Sequence, residues 1–130
     1  MVIFVNELVE CKLKIITLID GMKSVELIKG RGYCKKEDSF LVVYFTSDNI
    51  KYKYEYDGEK LIVFCNDSKY CFISDKKSIG KIKNGDYIFE ITTFASKIDV
   101  NENCIILNYE LFQNNILIGN YETSLLFELM

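Results

Sequence analysis

Histidine, proline and tryptophan are absent from this chain of 130 residues, and arginine occurs once, as Arg31. Without histidine there is no Ser–His or Cys–His nucleophile, no His-ligated zinc and no ordinary proton shuttle near neutral pH. Any general base would have to be Asp, Glu, Lys, Tyr or a thiolate. Without proline, no edge strand is blunted by a missing N–H, which favours a sheet that closes on itself. No run approaches the ~18 apolar residues of a membrane-spanning helix. The apolar run at residues 2–5 has no basic segment before it, so it does not read as a signal peptide.

The lysines are dispersed and the net charge is −3. No basic tract therefore marks a nucleic-acid partner, and no membrane partner is expected. Cys11, Cys34, Cys65, Cys71 and Cys104 form no C-x-x-C pair and no zinc-type spacing. Free thiols in a reduced, cytoplasmic protein are the expectation, with no metal or cofactor. Glu90, Glu110 and Glu122 fall on late strands, where alternation spaces many surface carboxylates at the ~5–9 Å of a glycosidase pair by chance. No catalytic residue is assigned, and the chain reads as a non-enzyme.

Aromatic residues are plentiful, nine Tyr and nine Phe, as strands require. In residues 50–65, Tyr52, Tyr54 and Tyr56 alternate with Lys51, Lys53 and Glu55, the period of a half-buried strand. Asp57-Gly58 suits a two-residue type I′ turn. Such a turn pairs Tyr56 with Glu59, Glu55 with Lys60, Tyr54 with Leu61 and Tyr52 with Val63. A second turn with Asp67-Ser68 at its tip sets Cys65 opposite Tyr70 and Val63 opposite Phe72. Cys65 and Cys71 then point to opposite faces and form no disulfide.

Further strands are predicted at 9–19, 24–34, 39–46, 86–100, 104–113 and 120–129. Gly30 and Gly32 suggest a bulge or sharp bend, as at a barrel corner. Residues 74–85 are the most polar stretch and read as a long loop or broken strand. A change of apolar parity between Ile91 and Phe94 predicts a bulge near Thr92-Thr93. In the last hairpin, one extra residue at Gly119 is needed to set Tyr109 opposite Tyr121, Leu107 opposite Thr123 and Ile105 opposite Leu125. No segment has a convincing helical period. The expectation is one all-β domain spanning 1–130, an antiparallel up-and-down (meander) barrel of about 8–10 strands. An eight-strand barrel has room for side chains or one small ligand.

The order of several signposts resembles the YwiB-like family, bacterial domains of unknown function with a calycin (lipocalin-like) β-barrel. These are Gly30-x-x-Tyr33-x-Lys35 before Phe40-Leu41, the strand end at Tyr44, and Asp57-Gly-Glu-x-Leu-Ile-Val. Asp86-Tyr-Ile-Phe-Glu-Ile-Thr-Thr and Asn108-Tyr-Glu-Leu complete them. The resemblance runs from about residue 8 to residue 129. This chain departs from the family pattern at Phe45-Thr46, at Phe64-Cys65-Asn66 and at Lys83-Asn84-Gly85. The resemblance therefore implies the fold and no site.

Two functional readings follow. In the first, the barrel binds a small apolar or amphipathic ligand among Tyr33, Tyr44, Tyr52, Tyr54 and Tyr70, with Arg31 at its mouth to take an anion. The plainer alternatives are that the rings fill the core and that Arg31 is solvated. In the second, Ile62, Phe64, Cys71 and Ile73 make an unusually apolar outer face. Ile62, Phe64 and Ile73 would then meet a partner or a second copy of the chain in a homodimer.

Overall fold

The computed structural model describes residues 6–38 and 40–130. The apolar run at 2–5 and the expected strand start at Ser39 lie outside them. Ten strands follow one another: β1 (Glu7–Ile19), β2 (Met22–Glu37), β3 (Phe40–Ser47), β4 (Ile50–Tyr56), β5 (Lys60–Cys65), β6 (Ser68–Ile73), β7 (Lys77–Asn84), β8 (Tyr87–Val100), β9 (Cys104–Gln113) and β10 (Ile116–Leu129). Each pairs antiparallel with its neighbour in sequence, and β10 pairs with β1 to close the barrel. No helix among the described residues is long and apolar enough to cross a membrane.

Turn chemistry sets this register. Asp20-Gly21, Asp48-Asn49 and Asn114-Asn115 each take positive φ at both central positions, the type I′ geometry whose twist matches the strands. After Asn114-Asn115, the ladder shifts between Leu117 and Gly119. Tyr109 thereby meets Tyr121, Leu107 meets Thr123 and Ile105 meets Leu125, as the alternation requires.

Three local expectations are corrected. In the 50–65 hairpin, Tyr56 pairs with Leu61, Tyr54 with Val63 and Tyr52 with Cys65. The tip is displaced because the Asp57 carboxylate accepts the amides of Glu59 and Lys60 (2.9 and 2.7 Å). Only Gly58 takes positive φ there, so a type I′ turn at Asp57-Gly58 does not form. In the next turn Cys65 pairs with Ser68 and Val63 with Tyr70; Asn66 takes positive φ and its side chain accepts the Lys51 amide at 2.9 Å. Both displacements are even, so every side chain keeps its face. The bulge in β8 falls between Ala95 and Lys97 rather than near Thr92-Thr93.

The polar stretch 74–85 is mostly strand β7, fully paired with β8. It reads poorly because three of its four outward positions are Lys77, Lys81 and Lys83, the fourth being Ile79, while one inward position is a glycine. A Cβ at Gly80 would stand 2.8 Å from the Lys69 carbonyl of β6. The ladder between β6 and β7 is a single bridge, Lys69 opposite Lys81. Thr93 of β8, fully buried, reinforces this seam by donating its hydroxyl to the Cys71 carbonyl of β6.

No bulge forms at Gly30 and Gly32, where both ladders keep their register; the glycines instead allow the β3 backbone to approach closely. A Cβ at Gly32 would lie 1.7 Å from the Tyr44 carbonyl oxygen, and one at Gly30 would lie 2.2 Å from that of Thr46. Before Arg31, residues 22–30 of β2 pair with β1 alone. The core fills the half of the barrel that holds the start of β1 and the end of β10, where Val9, Val43, Phe45, Leu61, Ile105 and Phe127 are buried. Burial of such apolar surface stabilises by roughly 25 cal/mol per Å².

Candidate functional site

The opposite half of the barrel is less completely filled. Leu13 and Ile15 of β1, Tyr52 and Tyr54 of β4, Val63 and Cys65 of β5, Tyr70 and Phe72 of β6, Leu107 and Tyr109 of β9 and Thr123 of β10 surround a cavity of about 140 Å³. Alternation delivers these residues, since each is an inward position of its strand. The rings are mutually ordered: Phe45 stacks on Tyr52 at 4.8 Å, Tyr109 on Tyr121 at 4.9 Å, and Phe72 tilts against Tyr109 at 4.7 Å.

The phenol groups lack partners. Among the described residues, the hydroxyls of Tyr52, Tyr54, Tyr70, Tyr109 and Tyr121 make no hydrogen bond to protein, whereas Thr123 donates to the Leu107 carbonyl at 2.8 Å. Burial pushes all five phenols above their ordinary range, Tyr54 and Tyr109 furthest; neighbouring phenols and thiols add to this around Tyr54, Tyr70 and Tyr109. They stay neutral at physiological pH and can each donate and accept one hydrogen bond. No carboxylate or ammonium lines the cavity. It can bind and orient a molecule, and it offers no acid–base pair.

The sequence-predicted ligand residues divide. Tyr52, Tyr54 and Tyr70 line the cavity. Tyr33, Tyr44 and Arg31 occupy outward positions of β2 and β3, with Arg31 exposed and Tyr33 48% exposed. Arg31 is therefore outside the barrel and not at its mouth, because the inward positions beside it are Gly30 and Gly32. Tyr109 and Thr123 were missed as ligand residues, with Tyr121 stacked behind Tyr109. The alternation that paired Tyr109 with Tyr121 was the signal that could have found them.

Other candidates are placed as follows. Ile62, Phe64 and Ile73 are outward and half-buried, and the Phe64 ring has the ammonium groups of Lys53 and Lys69 at 5.5 and 5.9 Å. Glu90 faces Lys81, Glu110 faces Phe94 and Asn120, and Glu122 faces Ile16 and Asn108. None of these carboxylates stands directly opposite another. All five cysteines are free, and the described residues contain no group of metal-ligating side chains.

No protein-family model matches the sequence, and no curated protein matches it either. Among solved structures, the fold is similar to the crystal structure of ywiB protein from Bacillus subtilis. The two align with a TM-score of 0.80 over 96% of this chain and 93% of that one, at 15% identity. That likeness shows the fold alone. The function of this chain rests on its own residues.

Proposed function

We propose that this protein is a non-catalytic binding module whose barrel holds one small amphipathic molecule. The observation that carries this reading is the cavity of about 140 Å³ lined by Tyr52, Tyr54, Tyr70 and Tyr109 among apolar side chains. The phenol hydroxyls are accessible, the one buried side-chain polar atom without a partner among the described residues being Ser78 Oγ, and each can pair with a guest. A cavity of ~150 Å³ holds benzene, while ordinary ligand pockets begin near ~300 Å³. The ligand class is therefore a single ring, or an aliphatic molecule of that size, bearing one hydrogen-bonding group.

Kinship with the YwiB-like calycin-type domains of bacteria belongs to the same proposal, supported by the shared fold and the order of the sequence signposts. So does residence in the cytoplasm. The outward lysines are unlike the apolar band of a membrane barrel, and the thiols are free. The alternative of a homodimer through Ile62, Phe64 and Ile73 has weaker support, since Lys53 and Lys69 lie over the Phe64 ring.

Titration with phenol, followed by NMR shifts of Leu107 and Val63 methyls, tests the reading. Saturable shifts are expected, weakened about 3- to 10-fold by Tyr54→Phe, the worth of one hydrogen bond. Tyr54→Phe breaks no protein hydrogen bond, so it should change stability by no more than about 0.5 kcal/mol. Absence of saturable shifts at millimolar phenol, or unchanged binding in both Tyr54→Phe and Tyr109→Phe, overturns it. Native mass spectrometry of the same protein reports oligomeric state.

A further inference from the structure

The strand register sorts the dispersed charges by face. The outward positions of β1 to β7 carry most of the 16 Lys and Arg, with Glu10, Glu37 and Glu55 as their only acids. The outward positions of β8 to β10 reverse this, with Glu90, Asp99, Glu110, Glu122 and Glu128 against Lys97. Most of the remaining acids sit in turns, such as Asp48 and Asp67 at one end and Asp57 and Asp75 at the other. A chain of net charge −3 thus presents a basic wall bordered by acidic rims.

Aromatic rings are set into that wall in register. One cross-strand row runs Tyr33, Tyr44, Lys53, Phe64, Lys69, Lys81 from β2 to β7. The adjoining row places Arg31, Thr46 and Lys51 side by side. At ~4.8 Å per strand, the first row is about 24 Å long. Among the described residues, Arg31, Lys51, Lys69 and Lys81 form no ion pair; Lys53 pairs with Glu55 at 2.7 Å. Lys12 also stands directly opposite Lys29, and Lys69 directly opposite Lys81. Like charges so placed destabilise a sheet; Glu90, opposite Lys81 on its other side, offsets the second pair, and a bound polyanion would relieve the first.

We infer that this outer wall of β2 to β7 binds single-stranded nucleic acid. Rings interspersed with cations across a sheet supply the two contacts such a strand needs, stacking for bases and positive charge for phosphates. The ammonium groups over Phe64 move to the phosphates when a base takes their place on the ring. The acidic rims disfavour a broad anionic surface such as a bilayer and leave a track for a linear polyanion. The interior cavity plays no part, so this site stands or falls independently of the proposed ligand.

Fluorescence anisotropy with a labelled DNA single strand of about ten nucleotides tests it, with inorganic polyphosphate as competitor. Binding at about 50 mM salt is expected, weakening toward 200 mM with a log–log slope of roughly −2 to −4 for three to five phosphate contacts. Lys51→Glu with Lys69→Glu should weaken it more than tenfold. Tyr33→Leu with Phe64→Leu should weaken it about tenfold by removing stacking, while Lys97→Glu on the acidic side leaves it unchanged. Lys81→Glu should also weaken binding, by removing a cation from the end of the aromatic row. Far-UV circular dichroism verifies that each variant is folded. The inference is overturned by no binding at low salt, by leucine variants that bind as tightly, by polyphosphate competing as well as DNA at equal charge, or by preference for an acidic peptide or anionic vesicles.

Discussion

Thr93→Val should open the barrel at one place. The substitution keeps the shape of a fully buried side chain and deletes the hydroxyl that donates to the Cys71 carbonyl. Leaving a buried acceptor without its donor costs about 1–3 kcal/mol. At ~2.1 cal/mol/K of unfolding entropy per residue, about 0.27 kcal/mol/K for 130 residues, Tm should fall by about 4–11 °C. Thr123→Val is the matched control, since its hydroxyl donates to the Leu107 carbonyl inside a well-paired part of the ladder. Both variants should lose similar global stability. Hydrogen exchange separates them: Thr93→Val should accelerate exchange selectively at β6 and β7 amides, because only one bridge joins those strands. A Thr93→Val protein within about 0.5 kcal/mol of wild type, or one whose exchange rises evenly around the barrel, would refute the reasoning.

Two further outcomes are expected. Gly32→Ala should destabilise by at least about 2–3 kcal/mol in urea denaturation, because its Cβ would meet only backbone, within 2.7 Å of Phe45 Cα as well as the Tyr44 carbonyl; a smaller loss means the β2 backbone can relax. Stability should also decline as pH rises above about 9. Burial pushes the Cys11 thiol up to about 12 and raises Cys34, Cys65 and the cavity phenols, while the unfolded chain releases these protons at its ordinary 9.0 and 10.0. The folded state holds more protons in that window, so its advantage is complete below pH 9 and is lost on the way up. Thermal melts from pH 7 to 11 check this, and a flat Tm across that range contradicts it.

The sequence made the barrel legible because alternation and turn residues agree in most places. Parity located the Gly119 bulge, since the register without it would have buried Glu122. Turn tips were harder. Asp57 supports two competing turns, and the choice depends on where its carboxylate finds amides. Strand β7 was illegible because what it contributes inward at Gly80 is the absence of a side chain. The cavity was legible only in part, through Tyr52, Tyr54 and Tyr70. Which phenols converge depends on barrel closure, and β9 and β10 reach the site only through it. The basic wall was hidden for the same reason: lysines scattered along a chain become neighbours only when register places them in rows.

The pairing of β1 with β10 has a topological consequence. Every connection in the wall is a short reversal between adjacent strands, and the first and last strands lie side by side, with the Met130 amide reaching the Leu8 carbonyl at 3.1 Å. The molecule is therefore a ring in space, and where the chain begins is incidental to its architecture. A linker between the termini and a cut at residues 74–76 would give a circular permutant. Its new ends would fall at the weakest joint of the ring, and the ladder joining its old ends would remain complete.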